Sequence, residues 1–389
     1  MNKQTDRSDG LLARAVGFGV GRTRAGLLAV AAAALAFAPL VLLTDRGNHV
    51  QVSLFRDYAA MARLLVALPL LILCAPHVHG LIEKALEHTL ASPILSADQR
   101  KTCDRWVSTL NSFRTSRAAG PMILLIAVSV SVLHPVVPGV LIGLEGWGYS
   151  RDGTLKPAGL WHGFVGMTLL RLALLTWLWR IALWIMFLGG LAFVHLKPNP
   201  AHPDGSAGLG YLGFVQQRLT VLLFIGGALL AGIVANRIAH LGEALQEHFV
   251  VLASFVALGP ALLLLPLLLI TPTLLRAKRD GIFAYGRIGQ DMADAFHRNW
   301  VRGQKAGNDD VLESPNPSAV ADFGAVHGTV QSMSILPIGK WAVASMALSA
   351  AAPLTVLILF QTPLELMLRS ALLELPPFDM MVSPHLPEE

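Results

Sequence analysis

Residues 161–196 read WHGFVGMTLLRLALLTWLWRIALWIMFLGGLAFVHL, and residues 197–213 continue KPNPAHPDGSAGLGYLG. The first part is an apolar run much longer than the ~20 residues that cross a bilayer as a helix. It holds two charges, Arg171 and Arg180, and Arg180 lies among tryptophans. The second part is a Pro/Gly loop built around His202-Pro203-Asp204 and Gly208-Leu209-Gly210. At 1.5 Å rise per residue, such a helix must tilt, project beyond the membrane, or begin as an interfacial turn. The rest of the chain can be arranged as three spans before it and three after.

Composition points the same way. The 389 residues are 54% hydrophobic and only 14% charged, with a mean hydropathy of +0.57, whereas soluble domains carry about 25% charged residues. Apolar segments at roughly 25–43, 58–80, 119–142, 162–195, 218–240, 249–275 and 341–361 predict an all-α polytopic bundle of about seven spans. The basic N-terminal stretch runs to Arg24, and no small-residue cleavage site follows the first apolar core. That segment therefore reads as a retained span rather than a signal peptide.

The basic residues set an orientation. Of 30 Lys and Arg, 21 fall on the N-terminal side of the alternating spans and seven on the other; the remaining two are Arg171 and Arg180. The positive-inside rule then places the N-terminus in and the C-terminus out. It also explains the formal net charge of +5 without nucleic acid as a partner. The organisation expected is a cytoplasmic segment at 1–24 and a transmembrane bundle at 25–361. Cytoplasmic helical insertions fall at about 81–118 and 276–340, and 362–389 forms an amphipathic helix and tail on the outer surface. Ser96 with Gln99 makes a capping box for one inner helix carrying Trp106. A second inner helix, about 279–302, carries Tyr285, Met292, Phe296 and Trp300, and a third begins at Pro317. LPLLILCAP at 68–76 and LPLLLITP at 265–272 suggest an internal repeat of two parallel halves around the fourth span. Cys74 and Cys103 form no disulfide framework and fall on the expected cytoplasmic side, where thiols stay reduced.

The acidic residues all fall outside these spans, which argues against a carboxylate-based ion pump. Arg180 thus has no expected counter-charge within the membrane. Trp177 at i−3 and Trp184 at i+4 can lie beside it and offer ring faces. Either the guanidinium receives an anion such as a carboxylate, phosphate or lipid headgroup, or it snorkels or takes up backbone carbonyls. Arg171, near the outer interface, reads as snorkelling and otherwise joins Arg180 as a ligand-binding candidate.

Pro260, Pro266 and Pro272 interrupt the sixth span at six-residue intervals and disturb the carbonyls of Val256, Leu262 and Leu268. They mark either a hinge at a binding site or a kinked packing helix. In the loop, Asp204 or Ser206 can cap the next helix, Gly208 and Gly210 allow a tight turn, and His202 lies near the inner interface. Gly227 with Ala231 and Ala228 with Gly232 have small-xxx-small spacing for close helix contact, and Gly189 and Gly190 thin the inner end of the fourth span. Thirteen histidines, among them His79, His134, His162, His195 and His248, show no metal-site spacing. No catalytic set, metal or cofactor emerges.

The segments HPDGSAGLGYLG (202–213), RDYAAMARLLVALPLLIL (56–73) and TPTLLRAKRDGIFAYG (271–286) resemble a group of uncharacterised bacterial multi-pass inner-membrane proteins. The loop of that group has the form HPD-x-x-GGLG, and here Ala207 replaces the first glycine. The resemblance implies the architecture and a bacterial inner membrane; it brings no function with it. Two functions stay open on the residues themselves. One is binding or passage of an anionic small molecule or lipid near Arg180 and the kinked sixth span. The other is a membrane-anchored scaffold or sensor whose cytoplasmic helices, through Trp106 and Trp300, dock a cytoplasmic protein or a second copy. A membrane enzyme ranks third.

Overall fold

The computed structural model describes residues 22–44, 50–133, 144–194, 196–302 and 317–361. The expected outer-surface helix at 362–375, most of the N-terminal segment, His134, His195 and the linker before Pro317 lie outside them. The described residues form helices and no sheet; two isolated bridges, Val52 with Gly146 and Tyr149 with Leu155, are the sole β contacts among them.

Six helices are long and apolar enough to cross a membrane. We label them with their neighbours in chain order. α1 is Arg22–Leu43 and α2 is Tyr58–Ala91, followed by α3, Ala97–Arg114, and α4, Ala119–Leu133. α5 is Pro157–Phe193, α6 Gly210–Leu241, α7 Phe249–Leu264 and α8 Thr271–Phe296. α9 is Pro317–Ser332, and α10 runs from Lys340 to Phe360. α3 and α4 meet at a bend of 48° and make a seventh span when counted as one. The chain is therefore an all-α polytopic bundle of six or seven spans.

α5 occupies the middle of this bundle, touching α1, α2, α3, α4 and the short turn after α7. Its sequence explains the position. Trp177, Arg180, Trp184, Leu188 and Leu191 recur every three or four residues and are all buried. Leu174, Leu178 and Ile185 form the exposed stripe. That is the helical period, with one face toward protein and one toward the surroundings.

Lipid is as apolar as leucine, so shape and hydrogen bonds, more than apolar burial, hold such helices together. α6 shows how. A Cβ on Gly232 would lie 2.8 Å from Ala62 Cβ in α2, and one on Gly227 would strike the Ala350 carbonyl in α10. The two small-residue pairs thus face opposite neighbours. Gly190 of α5 lies under the indole of Trp106, whose Nε1 donates to the Met186 carbonyl at 3.3 Å. The predicted capping box forms at Ser96, where the Gln99 amide and side chain exchange bonds with it.

Prolines act differently in the two similar apolar runs. Pro76 sits inside α2, and Pro260 likewise lies inside α7. Pro266 opens a 3-10 turn, Leu265–Leu269, and Pro272 stands in the first turn of α8. The sixth span therefore ends at Leu269, and α8 starts directly at Thr271 rather than near 279. α9 packs back along α8 as a hairpin, with Phe323 stacked on Tyr285.

The connections collect at two ends. One, here the hairpin end, gathers the 196–209 loop, α3 and the α8–α9 hairpin: Lys197 donates its amide to Ile94, and Ser334 to Gly205. The other, the capped end, gathers residues 50–57, 144–156 and the end of α6, with the Trp147 amide donating to Val52 at 2.9 Å.

Candidate functional site

Two polar regions lie along α5. The first surrounds Arg180, which is 4% exposed and sits on the inward stripe. Its guanidinium carbon stands 5.8 Å from the centre of the Trp177 ring, a cation–π distance. Both flanking indoles also serve packing. Trp177 Nε1 donates to the Leu71 carbonyl of α2 at 2.9 Å, and Trp184 Nε1 donates to Gln216 Oε1 of α6 at 2.7 Å.

Gln216, fully buried, donates through Nε2 to the Leu263 carbonyl. This bond follows from the proline. The Leu265 amide donates to Leu262, so the helix has tightened to a three-residue register there. In that register the Leu263 carbonyl would take the N–H of residue 266, which proline lacks. Leu262, expected to be short of a donor, is thus served by the backbone, and Leu263 is served by a side chain from a neighbouring span. Trp184, Gln216 and Leu263 link the Arg180 stripe to the kink.

Toward the hairpin end, Arg180 lies within electrostatic reach of another cation, Arg114 at the end of α3. Arg114 Nη1 is 2.5 Å from Glu83 Oε1 and 3.0 Å from His79 Nε2. Glu83 belongs to α2, one of the six candidate spans. The helix continues well beyond the ~20 residues that cross a bilayer, and Glu83 lies past residue 80, where the second span is expected to end.

The 196–209 loop is an architectural element. Asp204 accepts three amides: Ser206 and Gly208 on Oδ1, at 2.9 and 3.0 Å, and Gly210 on Oδ2, at 2.9 Å. His202 Nδ1 is 2.9 Å from Oδ1. Partial burial pushes the Asp204 acid up, but the Gly208, Ser206 and Gly210 amides outweigh it and hold the carboxyl below its usual range. Gly205, Ala207 and Gly208 take positive φ of 63°, 54° and 88°, a chain reversal centred on the carboxylate.

The second region lies at the capped end. Asp57, 1% exposed, caps α2 by accepting the Ala60 amide on Oδ1 at 3.0 Å. Its oxygens also take Asn236 Nδ2 of α6 at 2.9 Å and Trp147 Nε1 at 3.1 Å, while Asn236 Oδ1 accepts the Tyr58 amide. One carboxylate thus ties α2, α6 and the 144–156 segment together. Around it stand Arg63, His162 and Arg171, within electrostatic reach of one another. Arg171 Nη1 donates to Ser131 Oγ of α4 at 2.6 Å, which ties α5 to α4. Arg63 and His162 both sit in widened helical turns. The Leu68 amide donates back five residues to the Arg63 carbonyl, and the Met167 amide five residues to that of His162. Such π-turns are rare and frequent at functional sites.

The structure therefore keeps Arg180, Trp177 and Trp184 together, puts Arg171 in a separate group, and leaves His202, Asp204, Gly208 and Gly210 in the loop. Of the three prolines, only Pro266 meets the Arg180 region, through Leu263. Sequence reasoning missed Asp57, Arg63, His162, Tyr149 and Asn236. Their signal was the lone Asp-Tyr-x-x-x-x-Arg at the start of a span, which carries no information about what faces it. No group of three or more His, Cys, Asp or Glu suited to a metal stands together among the described residues. No family model matches the chain, nor does any curated protein or solved structure.

Proposed function

We propose that this chain is a multi-pass protein of a bacterial inner membrane, N-terminus in and C-terminus out, that binds or passes an anionic small molecule or lipid headgroup beside Arg180. The observation that carries the proposal is an arginine on the buried stripe of the central helix, with a second arginine as its neighbour toward the hairpin end. Burying a cation at mid-span costs roughly 3 kcal/mol or more on insertion scales, and a chain under no functional demand would place leucine there. The proline break supports the same reading, because broken spans are tolerated where they line a path or pack on protein, and Gln216 connects this one to the Arg180 stripe.

The test is Arg180→Gln in proteoliposomes, with labelled inorganic phosphate and labelled phosphatidylglycerol as probes. Loss of a charge-assisted contact should lower binding or flux by about tenfold or more, in a variant that still inserts and runs as a single species. Unchanged binding and flux would sink the proposal.

A second role, docking of a cytoplasmic partner or a second copy, draws on the α8–α9 hairpin. Trp106 is lost to it, since it packs on Gly190. Trp300 remains 55% exposed and Phe283 74% exposed, which leaves the hairpin as the surface where a partner would sit.

A further inference from the structure

Two buried polar atoms of the capped-end cluster meet no hydrogen-bond partner. Asp57 is satisfied by the Ala60 amide, Asn236 and Trp147, so none of its hydrogen bonds goes to an arginine. Arg63 and Arg171 bring two positive charges against that single negative one. Two more polar groups are buried there. His162 is 2% exposed, its ring edge-on to Trp147 at 5.6 Å, and Nδ1 meets no hydrogen-bond partner. Tyr149 is 2% exposed, and its hydroxyl meets none either. Burial and the nearby Asp57 push the Tyr149 phenol up from its ordinary value, so it stays a neutral O–H donor. A buried polar atom left without a bond is costly. His162 lies within electrostatic reach of both arginines, and Tyr149 within reach of the same Asp57, which calls for a common acceptor.

We propose that Arg63, Arg171, His162 and Tyr149 form a binding site for an oxyanion of the phosphate class, either free or as a lipid headgroup. Planar guanidinium groups match the oxygens of such a ligand, and the imidazole and phenol supply neutral donors. The two π-turns fit this role. Each widens its helix at the residue that contributes to the site, Arg63 in α2 and His162 in α5, and Leu64 of α2 packs close against Gly166 of α5. Arg171 and Arg180 are nine residues apart on α5, so the site is distinct from the one near Arg180 and does not rest on it.

The full chain is reconstituted in nanodiscs of zwitterionic lipid and titrated calorimetrically with inorganic phosphate. A parallel preparation carries phosphatidylglycerol and is compared by thermal midpoint. Saturable phosphate binding that weakens about tenfold or more in Arg63→Gln, several-fold in Tyr149→Phe, and not in Arg180→Gln supports a site for the free anion. No phosphate heat, but a midpoint raised by phosphatidylglycerol in wild type and not in Arg63→Gln, supports the headgroup. Tyr149→Phe removes one oxygen that makes no bond in the fold, so it keeps the test decisive if Arg63→Gln fails to assemble. Absence of both effects in wild type, or equal binding by wild type and Tyr149→Phe together with Arg63→Gln, overturns the proposal. Loss of phosphate binding in Arg180→Gln alone would assign the ligand to the other region.

Discussion

The two polar regions on α5 differ in how they are held. Around Arg180 the hydrogen bonds run sideways from aromatic and amide side chains to backbone carbonyls: Trp177 to Leu71, Gln216 to Leu263. Neutral side chains supply these joints. At the capped end a charge is the joint, because Asp57 gathers donors from three separate segments. The first region should therefore tolerate loss of its charge and keep its fold, while the second should not.

Asp57→Ala is the strongest way to break that contrast. It strands the Asn236 amide and the Trp147 indole in a buried site and leaves Arg63, His162 and Arg171 without their nearby carboxylate. Breaking a buried, hydrogen-bonded charge in this way costs about 3–5 kcal/mol. The expected result is a large drop in thermal midpoint in detergent, or failure to assemble. A midpoint within a few degrees of wild type would mean that Asp57 is not the joint and that the two regions are alike.

Gln216→Leu probes the other side at smaller amplitude. It leaves the Trp184 indole and the Leu263 carbonyl unserved, so a loss of about 1–3 kcal/mol is expected, measured as a lower unfolding midpoint with the helix content of the native protein retained. An effect larger than that of Asp57→Ala would reverse the comparison. The cost also tests why the break at Pro266 is tolerated: an unserved carbonyl within a span has no water to turn to.

These contrasts mark what the sequence could disclose. Arg180 was legible because a charge inside a continuous apolar run stands out, and the three-and-four spacing of Trp177, Arg180 and Trp184 already put it on one face with its tryptophans. The all-α bundle was legible for the same reason, as were the small faces of α6. Asp57 and His162 were not legible. Both stand at the ends of apolar runs, where polar residues are ordinary, and they meet through Trp147, which bonds Asp57 from 90 positions away and faces the His162 ring. Asp57 and Asn236 come from different spans, and no local period records that they face each other. The kink was half legible. The prolines announced it, but which carbonyl lacked a donor depended on the helix tightening to a three-residue register, which the spacing of prolines does not reveal.

The 196–209 loop gives the smallest effect and the sharpest control, since it carries a charge that acts within its own segment. Gly208 and Ala207 both take positive φ, 88° and 54°. An alanine at 208 meets the left-handed penalty and also places its methyl 2.9 Å from the tip of Ile94. Gly208→Ala should therefore cost about 1–2 kcal/mol. Ala207 already bears that penalty. Ala207→Gly removes it, yet gives up a buried methyl, worth roughly 0.8 kcal/mol, and adds about 0.5–1 kcal/mol of backbone entropy to the unfolded chain. These nearly cancel, so the midpoint should move by no more than a degree or two in either direction. The pair discriminates between two views of the loop. If it is an architectural turn around Asp204, the two substitutions differ in stability alone, and anion binding at either polar region is unchanged. If Gly208→Ala abolished binding at the Arg180 region while the midpoint fell only slightly, the loop would belong to that region, and the division of the molecule into a hairpin-end turn and a mid-span site would have to be redrawn.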